Sequence, residues 1–376
     1  MKIAIPREVS TLLTILEEKN FEAFIVGGCV RDTLLKREPR DWDITTNALP
    51  ERLLELFPDS FYENSFGTVS VKVAPFLKTG DPNREHDIIE ITTYRSEAHY
   101  TDGRHPSLVT FEDTLEKDLS RRDFTINAMA YGQRGGYWQL VDPFMGQQDL
   151  HDKVLRTVGD ANERFQEDAL RLLRAIRLVT ELRAPKKDDY FNHDWIIAKE
   201  TADAILAHAK DLGRIAKERI QDELNKILLS QSPAYGIQLL KDTELLSSIL
   251  PDLAEGVGVE QNLHHIYTVW EHNLRTLATC PSHKLEVRLA CLLHDVAKPR
   301  TKRGQGRYAT FYNHDQVGAR MTKKLLENLK YPRAVIEKVT LLVDQHMFFY
   351  NVGEVSEAAV RRLIKRVGKD NMDDLL

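Results

Sequence analysis

The chain has 376 residues, 42% hydrophobic and 29% charged, enough apolar material for a sizeable core and too much for dominant disorder. Its net charge of −5 excludes a generally basic, histone-like binder, so any nucleic-acid site must be a local patch. Cys29, Cys280 and Cys291 cannot build a disulfide framework, MKIAIPREVSTLLTILEEKN lacks a signal-peptide core, and no apolar run reaches membrane-spanning length; a cytoplasmic protein is expected.

Leu12, Leu13 and Leu16 recur at helical spacing and predict a helix over 8–19. FEAFIVGG predicts a strand ending in a glycine turn, VRDTLLKR a short helix, DWDITT a strand, and PERLLELF a helix behind its proline. GTVSVKVA and HDIIEITTYR predict two more strands around the loop LKTGDPNREH. RSEAHYTDGRHPSLVTFED has little periodicity and is expected to be one long loop. After residue 150 the strands are expected to stop. ANERFQEDALRLLRAIRLVTEL then opens a helical run to the C-terminus, broken by the polar RAPKKDDYFNHD. The expected fold class is α+β, with a mixed β-sheet head over 1–150, a helical neck and body over 151–255 and a further helical region over 256–376.

Three groups of residues carry chemistry. In VGGCVRD, the paired Gly27 and Gly28 let backbone N–H groups approach phosphate, and Arg31 offers a guanidinium fork. Asp41 and Asp43 stand at i and i+2 on a predicted strand, so their carboxylates converge and repel unless a hard divalent cation such as Mg²⁺ joins them. Glu90 is a candidate third carboxylate, with Asp87 as the alternative. Arg121 and Arg122, beside a predicted apolar helix and ahead of Asp123, suit a polyphosphate clamp.

In order and spacing, VGGCVRDTLLKREPRDWDITT, RRDFTINA and EDALRLLRAIR together resemble the class II tRNA nucleotidyltransferases (CCA-adding enzymes) and bacterial poly(A) polymerases. That resemblance covers about residues 20–260. It implies a nucleotidyltransferase-type head with Mg²⁺ on Asp41 and Asp43, and tRNA, CTP and ATP as partners. YTDGRHP resembles the flexible loop kept by CCA-adding and A-adding members, which argues against addition of cytidines alone.

On a helical wheel, EDALRLLRAIRLV puts Leu172, Leu173, Ile176 and Val179 on one face, and Asp168, Arg171, Arg174 and Arg177 on the other as a polar stripe. A carboxylate only accepts hydrogen bonds and a guanidinium only donates. One Asp and one Arg therefore satisfy the amine and ring-nitrogen acceptor shared by cytosine and adenine, and mismatch uracil and guanine. The resemblance gives Asp168 and Arg171 this base-selecting role and makes Arg174 and Arg177 further nucleotide contacts.

In CLLHDVAK, His294-Asp295 has His264-His265 upstream and His314, Asp344 and His346 downstream, a set similar to HD metal-phosphohydrolases. His265, His294 and Asp295, with Asp344 or His346 as the last ligand, would make a mixed N/O site for a transition metal able to activate water on a phosphoester. The acid-free KPRTKRGQGR offers Lys298, Arg300, Lys302 and Arg303 as RNA phosphate contacts. The expected function is template-independent addition of CCA to tRNA by a monomer, with release of pyrophosphate. Poly(A) polymerase or A-only addition is the nearest alternative, and an HD phosphohydrolase the alternative of a different class.

Overall fold

All four residues of AFIV, Ala23–Val26, are buried, as an inner strand covered on both faces requires. This strand, β1, pairs antiparallel with β2 (Asp43–Thr46) and with β8 (Ala130–Arg134). Beyond β2 come β5 (Asp87–Thr93, parallel to β2), β4 (Thr68–Val73) and the edge strand β3 (Ser60–Tyr62). β9 (Tyr137–Val141) closes the other edge, giving a seven-stranded mixed sheet in the order β3-β4-β5-β2-β1-β8-β9. The computed structural model describes residues 3–62, 67–77, 85–100, 106–184, 194–262, 266–348 and 356–376. Helix α1 (Arg7–Glu18) buries Val9, Leu12, Leu13 and Leu16, the stripe its spacing predicts. α2 (Gly28–Leu34) leaves β1 directly, and α3 (Pro50–Leu56) starts on its proline.

The stretch expected as a long loop is largely a hairpin. β6 (Arg95–Tyr100) pairs antiparallel with β7 (Pro106–Phe111) as a separate two-stranded sheet, with Arg95 opposite Phe111. Alternating hydrophobicity arises where one sheet face is buried against a core, and a ribbon outside the main sheet is under no such demand. Residues 101–105 of YTDGRHP lie outside the described residues. RRDFTINAMA is also not helical: a single turn at Thr125–Asn127 leads straight into β8.

The first compact unit comprises Met1–Asp168 with Ile196–Ala204. It also contains α4 (Leu115–Ser120), α5 (Gly146–Asp152) and α6 (Ala161–Glu167). Two short strands follow residue 150, where none was expected: β10 (Val154–Leu155) and β11 (Ile196–Ile197) pair in parallel. At two residues each, they carry no periodic signal.

The second unit comprises Ala169–Trp195 and Ile205–Leu376. Here α7 (Leu170–Leu182) packs on α9 (Lys217–Leu229) and α10 (Pro233–Asp242). α8 (Lys199–His208) starts in the first unit and ends in the second, and α11 (Leu246–Ile249) and α12 (Pro251–Ala254) complete the helices before residue 260. α13 (Val269–Thr279) begins on a capping box, Thr268 with Glu271, and packs on α10 and α14 (Leu285–Leu293). Buried Arg288 of α14 donates to the carbonyls of Leu228 and Ser230, which satisfies acceptors at the end of α9. α15 (Lys298–Thr301), α16 (His314–Asn328), α17 (Arg333–Gln345), α18 (Glu357–Val367) and α19 (Met372–Leu375) follow, with α17 against both α14 and α16. Among the described residues, no helix is long and apolar enough to cross a membrane.

Candidate nucleotide and metal sites

Gly27 joins β1 to α2 with φ +83°, a conformation that favours glycine. A methyl group on Gly27 would sit 3.0 Å from Arg122 Nη1 and 4.0 Å from Asp43 Oδ2. One on Gly28 would sit 3.7 Å from Arg31 Nη2 and 3.9 Å from Asp41 Oδ1. The glycine turn, both aspartates and two arginines therefore meet at one place on the head.

Asp43 opens β2, opposite Val26 of β1 and Glu90 of β5 in the ladder. Residues in register share a sheet face, so Glu90 flanks Asp43. Asp87, the alternative third acid, is fully buried and accepts from the backbone N–H groups of Phe76 and Leu77, at 2.8 and 2.7 Å. The arginines are held by side chains that the sequence reading did not single out. Arg31 donates to Asn127 Oδ1 and to Asp32 Oδ1, both at 2.8 Å. Buried Asp118 takes Arg121 Nε at 2.9 Å and Arg122 Nη2 at 3.4 Å, and is itself tied to β2 by Thr45 Oγ1 at 3.1 Å. Asp123 is a buried turn anchor, accepting from Phe124 N and Asn127 Nδ2.

Burial, together with the charges of Asp41 and Glu90, pushes the Asp43 carboxyl up to about 7, against a smaller opposing pull from Arg122. Oxygen donors that repel one another in this way fit a hard divalent cation. A folded-state value raised above the ordinary 3.8 favours the protonated acid in the fold. Its stabilising contribution is whole below about pH 4 and is lost as pH rises through about 7. Without added metal, the melting temperature should fall from about pH 5 to about pH 8, and Asp43→Asn should flatten that fall. Thermal melts across this range check it; identical slopes in both proteins would contradict it. Gly27→Ala sets a Cβ against the Arg122 guanidinium in a left-handed backbone, at roughly 1–2 kcal/mol of strain. It should lower the melting temperature by a few degrees, as thermal melts will show.

Asp168 and Arg171 do not share a helix as the wheel had them. α6 ends at Glu167, and Asp168 is extended, with φ −144° and ψ 105°, before α7 begins at Leu170. Nor is α7 a surface helix with a wet charged stripe: Arg171 is 9% exposed, and Leu172, Leu173, Ala175, Ile176, Leu178 and Val179 are buried around it. Arg177 is neutralised by Glu223 at 2.6 Å and Glu181 at 2.9 Å, acids from a distant segment and from the next turn. Arg174 is half-buried.

Among the described residues of the second unit, two overlapping donor sets could hold metal: His272, His294 and Asp295, and Asp295, His314 and His346. Of the ligands expected from sequence, His294, Asp295 and His346 come together. Asp344 is not in either set; it bonds the Gln345 amide and lines an open groove of about 820 Å³ with Arg320, Lys323 and Arg366. His265 lies outside the described residues. His272 was missed, being one of three nearby histidines that spacing alone could not rank. Burial and the neighbouring His294 push His346 down to about 4, into the neutral form that ligates metal.

The four cations offered for RNA phosphate are mostly engaged inside the chain. Lys298 is 6% exposed and lies 2.7 Å from both Asp295 Oδ2 and Gln261 Oε1. Arg300 is clamped by Asp252 and Glu255, and Lys302 donates to the Glu260 carbonyl. Their segment is acid-free, but the partners come from residues 252–261 and from Asp295. Arg303 pairs through its backbone with Thr310 and is exposed.

Residues 23–156 match the poly A polymerase head domain, residues 195–256 the probable RNA and SrmB-binding site of polymerase A, and residues 262–370 the HD domain. The chain belongs to the poly(A) polymerase and CCA-adding enzyme family. It is 40% identical over 241 residues to the CCA-adding enzyme of Geobacillus thermodenitrificans, a match covering 64% of this chain and 53% of that one. It is 41% identical over 244 residues to the CCA-adding enzyme of Lactobacillus helveticus, covering 65% and 55%. The crystal structure of the Bacillus stearothermophilus CCA-adding enzyme in complex with CTP superposes with a TM-score of 0.66 at 28% identity, over 96% of this chain and 75% of that one. The chain spans about half the length of the curated relatives it matches. Within the family frame, the missed anchors Asp118 and Asn127 flank the RRD motif that the sequence does show.

Proposed function

We propose that this chain adds CCA to the 3′ end of tRNA from CTP and ATP, without a nucleic-acid template. The observation that carries the proposal is the meeting of Asp41, Asp43, Gly27, Gly28, Arg31 and Arg122 at one place. The glycine turn gives the triphosphate close access to backbone, and Arg31 and Arg122 oppose its charge, oriented by Asn127 and Asp118. The tRNA 3′-hydroxyl oxygen forms a bond to the α-phosphorus as the bond to the β-phosphate oxygen breaks and pyrophosphate leaves. Asp41 and Asp43, flanked by Glu90, would hold Mg²⁺, which when bound neutralises phosphate charge and lowers the pKa of the attacking hydroxyl.

Asp168 takes the exocyclic amine of cytosine or adenine, and Arg171 donates to the adjacent ring nitrogen. Arg174 contributes positive charge to the nucleotide, whereas Arg177, expected to do the same, is already paired with Glu223 and Glu181. Residues 195–256, matched to an RNA-binding model, support a tRNA-binding role for the helical body. The names of the relatives favour CCA addition over poly(A) synthesis. The same reading has the chain working as a monomer in the cytoplasm, and its HD region holding a transition metal. Pyrophosphate release from CTP tests the transfer: it should require both Mg²⁺ and tRNA lacking its 3′ terminus. Release without RNA, or none with it, would refute the proposal.

A further inference from the structure

We propose that Cys280 and Cys291 are a redox-active dithiol: a hydroperoxide oxidises Cys280, and Cys291 resolves the product to a reversible disulfide. The inference stands apart from the nucleotidyl-transfer reading and from the histidine cluster. Residues 280–284, CPSHK, turn the chain from α13 into α14, so Cys280 directly follows α13 and Cys291 stands near the end of α14. The two helices pack on each other, and the Cys280 and Cys291 side chains meet in a hydrogen bond. Both residues are half-buried, whereas Cys29, the third cysteine, is sealed in the core of the head.

A buried cation sets which thiol is the nucleophile. Arg288 lies one turn before Cys291 on α14 and is 6% exposed. Its Nη1 donates to the Leu228 and Ser230 carbonyls, its Nε donates to the Ser282 carbonyl at 2.8 Å, and its Nη2 lies 3.2 Å from His283 Nδ1. These partners are three carbonyls and an imidazole. Among the described residues no carboxylate pairs with Arg288, so its charge is buried without a counter-charge. Cys280 Sγ lies 3.9 Å from the same Ser282 carbonyl that Arg288 holds. A thiolate at Cys280 supplies the negative charge that Arg288 lacks, and the Cys291 S–H donates to it. The Cys291 hydrogen bond, with smaller help from the Ser282 backbone and Arg288, outweighs burial and holds the Cys280 thiol below its ordinary range.

The chemistry balances with a hydroperoxide as the oxidant. The Cys280 thiolate attacks one peroxide oxygen, an S–O bond forms, the O–O bond breaks, and the other oxygen takes a proton and leaves as water. The Cys291 sulfur then attacks the Cys280 sulfur. The S–S bond forms, the S–O bond breaks, and a second water leaves with the Cys291 proton. Two thiols are oxidised to one disulfide and one hydrogen peroxide is reduced to two waters. A transient disulfide of this kind is compatible with a reducing compartment.

The test maps thiols on the intact chain. Reduced, desalted protein is treated with a modest excess of hydrogen peroxide, denatured with an alkylating agent, and digested without reductant for mass spectrometry. A peptide linking Cys280 to Cys291 is expected, about 2 Da lighter than the two reduced peptides together, with Cys29 recovered as a thiol. Dithiothreitol should restore both thiols. In Cys291→Ser the oxidation should halt at a sulfenic acid on Cys280 that dimedone captures. In Cys280→Ser, Cys291 should react at least about tenfold more slowly than in the parent. Cys280 and Cys291 both still reduced in the parent, disulfides that instead involve Cys29 or join two chains, or an equal rate at Cys291 with and without Cys280 would overturn the proposal. Should a serine variant fail to fold, the linked peptide in the parent still decides it.

Discussion

Asp43→Asn is expected to lower kcat for nucleotide transfer about 1,000-fold or more while tRNA affinity stays within about twofold. Asp43 begins β2 at the meeting point of the glycine turn and Arg122, and its carboxyl is raised by burial, Asp41 and Glu90. An amide in its place removes a charge that the fold bears at a cost. The variant should therefore melt no lower than the parent at about pH 8, so lost activity cannot be ascribed to lost structure. Single-turnover kinetics with a tRNA-binding titration check both halves. Parallel loss of tRNA affinity and of transfer would make Asp43 a structural acid. Glu90→Gln, one strand over, should cost less than Asp43→Asn.

Asp168→Ala is expected to cut the preference for CTP over UTP by about 10- to 100-fold. This matches the roughly 1–3 kcal/mol that an unpaired buried polar group costs. Asp168 is the better of the two base-selecting positions to test, because it lies in the extended link between α6 and α7 and is only half-buried. Arg171 is packed inside its unit, so removing it would also disturb packing. The CTP and UTP values of kcat/KM, taken in parallel, give the selectivity. An unchanged ratio would remove Asp168 from base selection.

The groups that could be read from sequence are those whose geometry is local. Gly27 and Gly28 end a four-residue apolar strand, and Asp41 and Asp43 are two residues apart, so neighbouring positions in the chain stay neighbours in the fold. The set of four histidines around Asp295 was only half legible, since it joins four helical segments across 75 residues of sequence, from 272 to 346. Arg177 and Arg300 looked like cations awaiting phosphate because their acids, Glu223, Asp252 and Glu255, lie some 45 residues away. The β6–β7 hairpin was hidden because its strands pair only with each other, outside the main sheet. The break at Asp168 was hidden because residues on both sides of it keep helical periodicity.

The most direct measurement is the sequence of the product's 3′ end. A tRNA transcript ending before its terminal trinucleotide is incubated with Mg²⁺, CTP and ATP, and the extended ends are sequenced. Growth by cytidine, cytidine and adenosine, followed by a stop, is the expected result. A tail of adenosines, arrest after cytidines alone, or RNA left unextended would contradict it.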